Sequence, residues 1–171
     1  MTRQICALLA LASLVVACGA PPVNSPVETT RVMATTDMLA QIRASGSIGN
    51  ELDVQPLRDS QVEDLRTQAT QAEQRGDYPS AERAVTLALR MQPGDPDLLQ
   101  WQAELALVQR RWTEAEALAT RSFNTGPKLG GLCRRNWMTL QFARQARGDG
   151  AGSAQAQQRI AACTVAPPVR M

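Results

Sequence analysis

Four residue pairs in this chain recur at a single interval. Tyr78 and Trp112, Ala81 and Ala115, Pro93 and Pro127, and Ala69 and Ala103 are each 34 residues apart. The segment Gly76-Asp77-Tyr78-Pro79-Ser80-Ala81-Glu82 is answered by Arg110-Arg111-Trp112-Thr113-Glu114-Ala115-Glu116. A fixed period of this length means that one supersecondary unit has been copied, because a single unit cannot bury its apolar face without stacked neighbours. From Ser60 onward the apolar pattern is helical. Helices are expected over 61–75, 79–91, 96–109, 113–125, 131–147 and 151–163. They make three hairpins, the number such an array usually needs.

The local chemistry supports these helices. Ser60-x-x-Glu63 and Thr113-x-x-Glu116 have the form of capping boxes. Asp95 before Pro96 reads as an N-cap followed by a first-turn proline. Small residues at Ala69, Ala81, Ala103 and Ala115 let the two helices of a hairpin approach closely. Gly76 marks the first turn, but Arg110 holds that place in the second copy, which must find its bend another way. The small, aromatic and terminal-proline positions fall on Ala69, Tyr78, Ala81, Ala88 and Pro93, and again on Ala103, Trp112, Ala115, Ser122 and Pro127. This pattern resembles the tetratricopeptide repeat. The resemblance implies an all-α solenoid of about three hairpins offering an extended groove for a protein partner. The third turn, Arg147 to Gly152, comes late, so the register of the third hairpin stays open.

The N-terminal part is written differently. Arg3 precedes an apolar run from Ile5 to Ala17 that is too short to span a bilayer and has the form of a secretory signal over residues 1–17. Leu14-Val15-Val16-Ala17-Cys18-Gly19 resembles a bacterial lipobox, which implies lipidation of Cys18. Gly19 in that motif implies sorting to the outer membrane, facing the periplasm. Residues 18–57, with Pro21, Pro22, Pro26 and Pro56, read as the lipidated cysteine and a flexible tether; Thr36 to Ser45 holds at most a short transient helix. The repeat domain is expected over 58–163 and a C-terminal tail over 164–171. With Cys6 removed and Cys18 acylated, Cys133 and Cys163 remain in an oxidising compartment. They lie at the start and end of an antiparallel helix pair, where a disulfide is geometrically reasonable.

Function is narrowed mainly by what the composition lacks. The chain has no histidine, the commonest general base and metal ligand, and its one lysine, Lys128, lies in a turn. No Walker loop, G-x-S-x-G, metal or dinucleotide motif is present in the sequence. The reading is therefore a non-enzyme with no cofactor, no metal and no small-molecule substrate. A net charge of +2 argues against a nucleic-acid partner. The charge is unevenly placed: residues 51–116 hold 13 acids and 7 bases, whereas 117–171 hold one acid, Asp149, and eight bases. Such polarity can steer a complementary partner. Cys133-Arg134-Arg135-Asn136-Trp137 stands out in the basic half, Arg and Trp being enriched at binding hot spots. The inner, concave face is expected to present Arg134, Arg135 and Trp137 together with Arg66, Glu73, Gln100 and Glu104 to a protein partner, although Trp137 taken alone suits a buried core role better than a contact.

The order of lipobox, Pro/Thr-rich tether, compact repeat domain, Cys-Arg-Arg-Asn-Trp and a C-terminal cysteine before Pro167-Pro168 is similar to the lipoproteins that activate bifunctional penicillin-binding proteins in pseudomonads and their relatives. The resemblance implies membrane attachment through a lipid anchor and an inner-membrane penicillin-binding protein as partner. An assembly factor or pilotin-like lipoprotein for a pilus, secretion or outer-membrane insertion machine is the alternative class.

Overall fold

Seven α-helices account for the regular structure of residues 33–48 and 59–164, the residues that the computed structural model describes. They are α1 (Thr35–Gly46), α2 (Ser60–Gln74), α3 (Tyr78–Met91), α4 (Pro96–Val108), α5 (Trp112–Thr125), α6 (Gly130–Ala146) and α7 (Gly150–Ala162). Among the described residues there is no strand. Helices α2 to α7 pair in sequence as three hairpins, and each hairpin packs on the next. Every end of these six helices falls within one residue of the boundary expected from sequence. The expected signal, Cys18, most of the tether and residues 165–171 of the tail lie outside the described residues.

One backbone device makes all three hairpin turns. The Asp77, Arg111 and Asp149 N–H groups donate back to the carbonyls of Ala72, Ala106 and Arg144, at 2.9, 2.8 and 2.9 Å. This six-to-one bond is the Schellman ending, and it needs the preceding residue in the left-handed region. Gly76 and Gly148 adopt it at φ of 73° and 79°, and Arg110 adopts it at 62°. The second turn therefore does not find another bend. It makes the same one with a residue that pays about 1–2 kcal/mol for its Cβ. The interval from Arg110 to Gly148 is four residues longer than the repeat, and α6 has 17 residues where α4 has 13. One additional helical turn in α6 thus settles the register of the third hairpin.

The N-caps differ in part from expectation. Asp59, not Ser60, caps α2, accepting from the Gln61 N–H at 2.8 Å. Asp95 caps α4 as expected, accepting from the Asp97 and Leu98 N–H groups at 2.8 and 3.1 Å. Helix α5 begins after Arg111 without a side-chain cap, so Thr113 is not a capping residue. Its Glu116 instead binds Arg144 and Arg147 of the third hairpin. Packing follows the small-residue logic: Ala69, Ala81, Ala103 and Ala115 are completely buried.

Helix α1 corrects the expected domain boundary. The sequence pattern places residues 33–48 in the tether, yet Met38, Leu39 and Ile42 are buried, Ile42 completely. Met38 and Ile42 join a cluster with Ala106, Leu107, Ala115, Phe142 and Ala143. The folded unit therefore begins upstream of Arg58. Three apolar residues are a weak periodic signal, and only the surface they meet makes them a core element. At the other end, Cys133 and Cys163 form a disulfide with Cα atoms 5.6 Å apart. The Gly130 N–H donates to the Cys163 carbonyl at 2.7 Å, tying the start of α6 to the end of α7. No helix among the described residues is long and apolar enough to cross a membrane.

Candidate functional site

The first helix of each hairpin, α2, α4 and α6, supplies the inner face. Helix α1 lies along it, packed against α4 and α6. Polar side chains join α1 to the array through a closed ring. The Arg43 guanidinium donates to both Glu73 oxygens at 3.0 and 2.9 Å and, through Nε, to Glu104 at 3.0 Å. Glu104 also receives Arg135 at 2.7 Å and Gln100 at 3.0 Å. Arg135 reaches Asp97 at 3.6 Å, and Asp97 reaches Arg66 at 3.9 Å. Arg66 stacks 5.3 Å from the centre of the Trp101 ring. The Trp101 indole N–H closes the ring on Glu73 at 2.8 Å.

Three arginines and three carboxylates leave this ring formally neutral. Glu104 and Gln100 are completely buried, and a charge in that position persists only when paired and hydrogen-bonded. Gln100 donates onward to the Thr139 hydroxyl at 2.8 Å. Burial works against the charge on Arg43, and the hydrogen bonds and charges of Glu73 and Glu104 more than offset it, so its pKa lies above the ordinary arginine value.

The C-terminal end of α1 has its own seat. Arg134, only 4% exposed, donates from Nε to the Ser45 carbonyl at 2.8 Å and from Nη2 to the Ile48 carbonyl. A cation here satisfies the Ser45 carbonyl, which the helix end leaves free, and complements the helix dipole. Backbones then meet at two glycines: a Cβ on Gly131 would run into the Gly46 carbonyl, and one on Gly46 would lie 2.7 Å from Arg135 Cδ. Beyond α1 the inner face stays open along α2. There Glu63, Arg66, Thr67, Thr70, Gln71 and Gln74, with Trp101 of α4, line a cavity of about 530 Å³.

No protein-family model matches the chain, and no curated protein matches it. The solved globular C-terminal domain of P. aeruginosa LpoP is similar to it, with a TM-score of 0.57 and 31% sequence identity. The match covers 61% of this chain and 99% of that one. The chain belongs to the LpoP family.

In this LpoP-family domain the expected partner-binding set separates into three places. Arg66, Glu73, Gln100, Glu104 and Arg135 come together, but as members of the internal ring. Arg134 lies beneath the end of α1 and is buried, so the open basic surface expected from Arg134 and Arg135 is not formed. Trp137 points elsewhere, edge-on to Phe123 at 5.0 Å between ring centres, with Arg159 at 5.8 Å. Sequence reasoning missed Arg43, Trp101 and Thr139 as members of the polar network. The one available signal for Arg43 was its place beside Ile42 in the short apolar pattern of residues 38–42.

Proposed function

We propose that this chain is a protein-docking module that stimulates a penicillin-binding protein. The observation that carries the reading is near-complete coverage of the LpoP globular domain at 31% identity, on a chain whose own motifs already resembled that class of activator. In this reading the chain carries out no catalysis. It acts through surface complementarity, binding the active state of a synthase more tightly than the resting state and shifting its population. Lipidation at Cys18 would attach it to the outer membrane facing the periplasm, and residues 19–32 would supply reach. The partner would then be a bifunctional synthase of the inner membrane.

The test is a titration of the full-length lipidated chain into the organism's own bifunctional penicillin-binding protein, following glycan-strand synthesis and crosslinking. Saturable stimulation supports the reading. Absence of both binding and stimulation overturns it and favours an assembly role in the envelope. Separately, recovery of the mature chain in the inner-membrane fraction would overturn the proposed address.

A further inference from the structure

Resting on that docking function, we propose that the partner meets the edge of the array where α3, α5 and α7 end, and that it presents an acidic segment bearing apolar side chains. The inner face is partly filled by α1, and its charges are neutralised within the ring. The edge differs on both counts. Arg90, Arg121, Lys128 and Arg159 are exposed there, as are Met91 at 41% and Leu129 at 50%.

Bonds across the edge hold these residues in one area. Arg121 donates to the Pro93 carbonyl at 2.9 Å, which joins α5 to the turn after α3. Lys128 donates to the Asn124 and Gly126 carbonyls at 3.0 and 3.2 Å. The Gly130–Cys163 bond and the disulfide bring the end of α7 to the same place.

The cations at this edge are held in place without ion-pair partners among the described residues. Lys128 lies 4.4 Å from the centre of the Phe123 ring, Phe123 meets Trp137 edge-on, and Arg159 lies over the far ring. A cation–aromatic–aromatic–cation stack orients two positive groups without cancelling either. No ion pair within the described residues engages Arg90, Arg121, Lys128 or Arg159, whereas Arg43, Arg111, Arg135, Arg144 and Arg147 are all paired with carboxylates. Asp95, in the turn after α3, accepts the Asp97 and Leu98 N–H groups as the cap of α4 and forms no ion pair with these four cations. From Ala117 onward the one acid is Asp149, at the opposite end of α7. Exposed cations with apolar neighbours and no ion-pair partner among the described residues fit an acidic, partly apolar protein segment, which they would steer and orient.

The test uses the full-length chain with two double variants, Arg121→Glu with Lys128→Glu, and Arg90→Glu with Leu129→Ser. The second removes no hydrogen bond in the structure, so a folding defect in the first does not remove the test. Each is measured for synthase stimulation and for binding a fluorescein-labelled peptide alternating Glu and Leu. Expected are a half-saturating concentration raised by about ten-fold or more in both assays, and wild-type binding that weakens with added salt. Unchanged stimulation and peptide binding in correctly folded variants would overturn the proposal. So would wild-type binding to phosphatidylglycerol vesicles but not to the peptide. Peptide binding that depends on the edge, without any stimulation by wild type, would keep this surface and discard the synthase reading.

Discussion

Arg43 Nε of α1 donates to Glu104 Oε2 of α4 at 3.0 Å, across 61 residues of sequence, and the same guanidinium grips Glu73 of α2. One side chain from outside the repeats thus bonds two of their helices. Arg43→Met should leave Glu104 to Arg135 and Gln100, and leave Glu73 with the Trp101 N–H alone of the partners described. The expected loss is about 1–3 kcal/mol, moderated because Arg43 is partly exposed and water screens its pairs. Urea unfolding of the full chain reads this, and a mid-point equal to wild type would contradict it.

The close approach of Gly46 and Gly131 leaves no room for a methyl group. Gly131→Ala should push the end of α1 from its seat at a cost of about 1–3 kcal/mol. Gly94→Ala is the control, since a Cβ there meets nothing within 4 Å. Faster hydrogen exchange confined to α1 in the first variant, and no change in the second, is the expected pattern.

Arg110 holds a left-handed conformation at φ 62°, which a glycine adopts without steric cost. Arg110→Gly is therefore expected to stabilise the fold by about 1 kcal/mol and to raise the thermal mid-point by a few degrees. Calorimetry showing a lower mid-point would mean that this side chain has a compensating contact.

Reduction of Cys133–Cys163 opens a loop of 30 residues. In the chain-entropy account the bridge contributes about 3–4 kcal/mol. Denaturant mid-points with and without reductant, together with thiol titration, check both the bond and its worth.

Asp77 caps α3, and hydrogen bonds from the Ser80 side chain and N–H hold its carboxyl below the ordinary value. A depressed folded pKa stabilises the ionised state. This contribution is complete above the ordinary carboxylate range and is lost as pH falls through the folded value. The stability difference between wild type and Asp77→Asn should therefore be present at neutral pH and close in acid, as read by urea mid-points across that range.

What the sequence made legible was local. Helices α2 to α7 announce themselves through period, proline and aspartate, and their ends could be placed within a residue. The disulfide followed from counting cysteines at matched helix ends. Which of Arg66, Glu73, Gln100, Glu104 and Arg135 share the inner face was legible, but their role there was not, because it depends on α1. Three apolar residues within a threonine-rich stretch carry little periodic signal, and Arg43 and Ser45 look like ordinary polar residues until α4 and α6 lie beneath them. Arg134 and Arg135 likewise read as a surface, since nothing local says that a helix end and a buried glutamate consume their donors. Arg110 shows the converse: the turn geometry persists where its signature residue is gone.

Stacked hairpins ordinarily melt in sections, since each touches its neighbours alone. Helix α1 breaks that rule here, because it is first among the described helices yet spans the second and third hairpins and, through Arg43, reaches the first. It turns a row of separable units into a body that opens all at once. It can also complete that body only after α6 has been made and placed, so the earliest of the described helices is among the last to find its position.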